Sequence, residues 1–114
     1  MIETPKKKKI AILVNPYGGT GKALKIYESI RLVLEKGFVD VNLVVTTHAR
    51  HAEEYCQKTD ISEFRDGVVT ISGDGMLNEA VNGLLHRKDW RDVARQVPIG
   101  VIVSGWVVPQ RTYT

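Results

Sequence analysis

The stretch Ile10-Ala11-Ile12-Leu13-Val14-Asn15-Pro16-Tyr17-Gly18-Gly19-Thr20-Gly21-Lys22-Ala23 decides how the rest of the chain is read. Ile10 to Val14 is a continuous apolar run with no polar alternation, which suits a strand buried on both faces, as in a parallel sheet. Asn15-Pro16 stops the run, and the glycines that follow are turn chemistry. From Lys22 the apolar residues Ala23, Ile26, Tyr27, Ile30, Val33 and Leu34 recur at helical spacing until Gly37. The stretch is a strand, a glycine loop and a helix.

Outward from it the same unit repeats. Val41 to Thr46 is apolar and β-branched, and Ala52, Tyr55 and Cys56 share one side of a short helix ending near Lys58. Val68 to Ile71 predicts a third strand, broken by Ser72-Gly73-Asp74-Gly75, and Met76, Leu77, Ala80, Val81, Leu84 and Leu85 mark another helix face. A charged connection through Asp89, Trp90 and Arg95 leads to a fourth strand, Ile99 to Val103. Alternating strands and helices require right-handed crossovers and a mostly parallel sheet, so the expected fold is α/β, three layers with helices on both faces. Ligands of such sheets bind beyond the carboxyl ends of the strands, where both glycine-rich loops are placed.

A glycine loop that opens a helix aims backbone N–H groups at an anion, helped by the helix dipole, and Lys22 adds a cation. Gly18, Gly19 and Gly21 are read either as such a phosphate cradle or as a tight connection alone. Two common phosphate loops are excluded. Pro16 occupies the position of the first Walker A glycine, and Ala23 stands where a hydroxyl should hold magnesium. The dinucleotide fingerprint lacks its third glycine, and the second strand ends on Thr46 and Thr47 where an acid is needed. In the second loop Asp74 lies between two glycines at the end of a buried strand, a placement for a general base or a magnesium contact, with helix capping as the alternative. Ser72 reads as a cap. Glu79, five residues beyond Asp74, either faces the same cleft or is a solvated helix residue.

Composition sets wider limits. The 114 residues, 43% hydrophobic and 25% charged, fit one folded domain. No apolar run is long enough to cross a bilayer, and no signal-type stretch adjoins the N-terminal lysines, which predicts an intracellular, cytoplasmic protein. The lone Cys56 cannot form an internal disulfide and reads as a buried thiol; no Cys/His set has metal spacing, so no protein-held metal is expected. The net charge of +3 owes much to Lys6 to Lys9, which either lead in solvated fashion to the first strand or attract an anionic membrane. Basic residues and aromatics do not interleave, so nucleic acid is not an expected partner.

Asn15-Pro16-Tyr17-Gly18-Gly19-Thr20-Gly21-Lys22-Ala23, followed by Ser72-Gly73-Asp74-Gly75-Met76-Leu77-Asn78-Glu79-Ala80-Val81-Asn82-Gly83-Leu84, resembles the two opening motifs of the diacylglycerol kinase-like catalytic domain. The SGDG form and the later Arg87-Lys88-Asp89-Trp90 look more like its sphingosine kinase branch. The resemblance covers roughly residues 8 to 102 and implies the nucleotide-binding half of a two-domain lipid kinase, using ATP and Mg2+ to phosphorylate a lipid hydroxyl, of a sphingoid base in the first place or of diacylglycerol. Carried over by position, Asn15, Pro16, Tyr17, Gly18, Gly19, Gly21, Thr46, Thr47, His48, Ala49, Arg50 and Glu79 would hold the nucleotide. Ser72, Gly73, Asp74 and Gly75 would meet the substrate, with Asp74 as general base.

The expected organisation is a basic segment over 1–9, the catalytic domain over 10–103 and a divergent tail over 104–114. The family's third loop, P-x-G-[ST]-G-N, is replaced by Val103-Ser104-Gly105-Trp106-Val107-Val108-Pro109. The chain is therefore expected to be a truncated part, inactive alone, with Trp106, Val107 and Val108 favouring self-association. The competing expectation is a non-catalytic module that binds nucleotide or a partner. Peripheral membrane contact is expected from the lipid substrate.

Overall fold

The computed structural model describes residues 7–17, 22–71 and 74–102, with Asp74 described by its backbone only. The elements are β1 (Lys8–Val14), α1 (Ala23–Lys36), β2 (Val39–Val45), α2 (His51–Lys58), a 3-10 turn at Ile61–Glu63, β3 (Val68–Ile71), α3 (Asp74–Leu85), α4 (Trp90–Gln96) and β4 (Ile99–Ile102). All strand pairs are parallel, in the order β2-β1-β3-β4. The chain steps from β1 to β2 in one direction, then returns over β1 to β3 and on to β4. With right-handed crossovers this reversal puts α1 on one face and α2, α3 and α4 on the other. The three-layer α/β architecture expected from the sequence is the observed one.

Burial along β1 follows from this. Ala11 and Leu13 pack toward α2, α3 and α4, with Ala52, Cys56, Phe64, Met76, Ala80, Leu84 and Val93. Ile12 and Val14 pack toward α1, with Ala23, Tyr27 and Ile71. Residues 11–14 are fully buried, as a central strand covered on both sides must be.

Three local readings are corrected. The charged connection before the last strand forms α4; Trp90, Val93 and Val97 recur at helical spacing there, but only Val93 of the helix is buried, so the apolar signal is thin. The second strand runs Val39–Val45, not to Thr46. Val33, expected on the buried side of α1, is 70% exposed, because the buried stripe runs through Ala23 and Tyr27 and is flanked by Ile26, Ile30 and Leu34. The thiol of Cys56 is free and buried, and burial pushes it up to about 12.

Helices α2 and α3 meet backbone to side chain. A Cβ on Gly83 would collide with the carbonyl oxygen of Glu53 and lie 2.9 Å from the Cβ of Cys56, so glycine is what permits the approach. Arg87 secures the end of α2. Its guanidinium donates to the carbonyls of Cys56 at 2.8 Å and Thr59 at 2.6 Å, pairs with Asp89 at 2.7 Å and lies over the Phe64 ring. The Arg87 and Asp89 of the branch-like signature thus do structural work, satisfying carbonyls that the helix end leaves open.

Candidate functional site

β1 and β3 are neighbours, and Val14 pairs with Ile71, so the two strands end level. The chain leaves them toward helices on opposite faces, which opens a crevice beyond the carboxyl ends of the two strands. This is the switch point at which open α/β sheets bind ligands. A cleft of about 360 Å³ lies here, lined by Asn15, Tyr17, Thr46, Thr47, His48, Ala49, Gly75, Met76 and Glu79.

Each wall has a local cause. Asn15 Oδ1 accepts from the Tyr17 N–H at 2.9 Å, an Asx turn that closes the exit from β1 and leaves Tyr17 89% exposed. Thr46 is tied to the end of β1 by its N–H, 2.8 Å from the Val14 carbonyl, and by its hydroxyl at 3.3 Å. Beyond it the backbone turns through Arg50, in the left-handed region at φ 65°, to start α2. The Arg50 guanidinium is held by Glu53 at 2.6 Å, which raises its proton affinity. From α3, Gly75 and Glu79 stand four residues apart on one helix face, so both reach the cleft.

Histidines govern the loop between β2 and α2. The Thr47 N–H donates to His51 Nδ1 at 3.0 Å, Thr47 Oγ1 lies 2.9 Å from His48 Nδ1, and His48 Nε2 faces Glu54 Oε1 at 3.0 Å. The two imidazoles stack with centroids 4.5 Å apart. The hydrogen bond from His48 holds the Glu54 carboxyl below the usual carboxylate range.

Of the site residues expected from the sequence, Asn15, Tyr17, Thr46, Thr47, His48, Ala49, Gly75 and Glu79 come together around the cleft. Pro16 is half-buried in the same turn without lining it, and Arg50 turns to Glu53. Gly18, Gly19, Gly21, Ser72 and Gly73 lie outside the described residues; Asp74 is the first residue of α3, with its side chain outside the description. Sequence reasoning assigned Met76 to the helix core face only, yet it lines the cleft while 93% of its surface is covered, a double duty that the apolar spacing did not separate. It also passed over His51 and Glu54, which stand behind the cleft and hold its wall. Among the described residues no three His, Cys, Asp or Glu side chains group as a metal site.

Fold and cleft define a doubly wound α/β domain with a cleft at the switch point of the sheet. Residues 9–107 match the model of the diacylglycerol kinase catalytic domain, and the chain belongs to that family. It is 38% identical over 106 residues to sphingosine kinase 1 of Arabidopsis thaliana, covering 92% of this chain and 21% of that protein. It is 39% identical over 103 residues to human sphingosine kinase 2, covering 89% of this chain and 15% of that protein. Among solved structures it is similar to a diacylglycerol kinase from Bacillus anthracis str. Sterne, with a TM-score of 0.67 and 25% identity over 90% of this chain and 35% of that one. The chain thus spans about a fifth of the length of the first of these curated relatives and less of the second.

Proposed function

We propose that this chain is the nucleotide-binding part of a lipid kinase that transfers the terminal phosphoryl group of ATP to the hydroxyl of a sphingoid base. The observation that supports it best is the gathering of Asn15, Tyr17, Thr46 to Ala49 and Glu79 around one cleft at the sheet's switch point. The names of the relatives favour a sphingoid acceptor over diacylglycerol. Phosphoryl transfer asks little of a protein beyond alignment, charge neutralisation and a group to orient the nucleophile. In this reading Asp74, at the start of α3 beside the cleft, takes the proton of the acceptor hydroxyl. The loops carrying Gly18 to Gly21 and Ser72 to Gly75 serve the phosphates, and the Thr46 to Ala49 wall serves the nucleoside.

Magnesium fits as an ion carried by the phosphates, since the cleft offers the carboxylate of Glu79 but no ligand cluster among the described residues. Bound there it would neutralise phosphate charge. No helix among the described residues is long and apolar enough to cross a membrane. Peripheral contact from the cytoplasm is the proposed way a lipid acceptor reaches the site.

The test is a titration of the chain with Mg-ATP, followed by thermal shift and by amide NMR of the cleft residues. Saturable binding is expected, with shifts at Thr46 to Ala49. A parallel assay of sphingosine and diacylglycerol phosphorylation in the longer protein that contains this domain would compare it with Asp74→Asn. A loss of about 10²–10⁴-fold is expected for a general base. Unchanged turnover in the variant would remove Asp74 from that role, and absence of ATP binding would remove the nucleotide reading.

A further inference from the structure

Two residues of α2 that do not line the cleft control the polarity of its wall. A backbone N–H can only donate, so the contact from Thr47 N–H to His51 Nδ1 at 3.0 Å leaves that nitrogen without hydrogen and places the His51 proton on Nε2. A carboxylate only accepts, so His48 Nε2, 3.0 Å from Glu54 Oε1, carries its hydrogen. Glu54 is ionised in this contact, its carboxyl being held below the usual range. In the Nε2–H tautomer His48 presents Nδ1 as an acceptor, 2.9 Å from Thr47 Oγ1. With that tautomer the Thr47 hydroxyl donates to His48 and keeps its lone pairs for another donor. Stacking of the two rings, with planes 9° apart, keeps His48 from rotating out of this arrangement.

We propose that Glu54 and His51 are positioning residues that fix the Thr47 hydroxyl as an acceptor toward the cleft, so that this wall receives the hydroxyl- or amino-bearing nucleoside and turns away the phosphates. The proposal rests on the nucleotide reading given above and adds the direction in which the nucleotide lies. Glu79 reinforces it, because its carboxylate lines the same cleft and is likewise an acceptor with negative charge. The other charged groups around the pair are Lys58 on α2, which acts on Glu54, and Arg50, which Glu53 holds. The phosphates then fall toward the opposite side, where Asn15 and Tyr17 lead into the first glycine loop.

The test uses the 114-residue chain with three probes, ATP, adenosine and inorganic tripolyphosphate, and with ¹⁵N-imidazole NMR to read the tautomers. In the wild type both His48 and His51 are expected as the Nε2–H form. Glu54→Gln keeps the shape but lets the amide donate to His48 Nε2, so His48 should populate the Nδ1–H form. ATP and adenosine affinity should then fall about fivefold, the loss of one ordinary hydrogen bond, with tripolyphosphate unchanged. His51→Ala should do the same, and His51→Asn, which restores an acceptor for the Thr47 N–H, should recover most of the loss. Wild-type His48 in the Nδ1–H form overturns the proposal, as do ATP affinities indifferent to Glu54→Gln and His51→Ala, or a loss confined to tripolyphosphate. These outcomes leave the nucleotide reading intact, whereas failure of the wild-type chain to bind any of the three sinks both.

Discussion

On one face of the sheet three helices cover Ala11, Leu13 and Val68, while on the other α1 alone covers Ile12, Val14 and Ile71. The first face is sealed by the Gly83 contact between α2 and α3 and by Arg87 at the end of α2. The second leaves Leu32 and Val33 of α1 exposed. The cleft takes one wall from each side: Thr46 to Ala49 and Gly75 to Glu79 border the sealed face, while Asn15 and Tyr17 lead toward α1. Regions with fewer buried apolar contacts open at lower free energy. On the proposed reading a nucleotide would lie between a wall backed by three helices and one backed by α1 alone.

The broadest way to break this comparison is to truncate one apolar side chain on each face. Leu84, 4% exposed on α3, should cost about 3 kcal/mol as Leu84→Ala, within the range for core leucines. Ile30, half-buried on α1, should cost about 1 kcal/mol as Ile30→Ala, since part of its surface already meets water. Urea denaturation of the two variants measures the difference. Equal losses would mean that the two faces are packed alike.

A narrower test addresses the seam itself. In an open helix Gly83→Ala would stabilise by about 1 kcal/mol through helix propensity. Here the added methyl meets the Glu53 backbone and Cys56, and overpacking typically costs about 1–3 kcal/mol, so a net loss of about 1–2 kcal/mol is expected. The sign is what matters. A stabilised Gly83→Ala would show that α2 and α3 stand further apart than described.

Much of this architecture was legible because its signals are local. The apolar run into Asn15-Pro16 and the helical spacing from Ala23 give β1, its loop and α1, and three such units imply the parallel sheet. The cleft followed from topology, since both loops leave strand ends. What escaped depends on contacts far apart in sequence. Gly83 stood in a quoted motif as one more residue of a helix, and its need for no side chain appears only when Glu53 is brought against it. Arg87 read as a branch signature, yet its partners Cys56 and Thr59 lie some thirty residues earlier, at |i−j| of 31 and 28. His51 and Glu54 sit on a helix whose polar face carries no periodic signal, so their hold on Thr47 and His48 needed coordinates. Helix α4 was missed because its seven residues bury one side chain.

The smallest expected effect is a pH dependence that marks the sealed face chemically. Burial of Cys56 raises its pKa from 9.0 to about 12, with Arg87 acting weakly in the opposite sense. In the unfolded chain the thiol ionises near its ordinary value, while the folded chain keeps the proton, so folding binds the proton more tightly. Stability from this group is therefore whole below about pH 9 and is lost as pH rises toward 12, at up to about 1.4 kcal/mol per pH unit. Tyr55, raised from 10.0 to about 12 by burial, adds its own loss only above its ordinary value. The interval between pH 9 and 10 accordingly belongs to Cys56 among these two. Urea midpoints measured at pH 8, 9 and 10 should fall in the last step for the wild type. In Cys56→Ala the overall stability should be lower from the lost sulfur, but the fall between pH 9 and 10 should shrink. Reaction with a thiol reagent such as dithiobisnitrobenzoate at pH 8 should be slow in the folded chain and become fast in urea. A fast reaction without urea, or an alkaline fall that survives in Cys56→Ala, would mean that water reaches the seam and that the sealed face opens as readily as the one under α1.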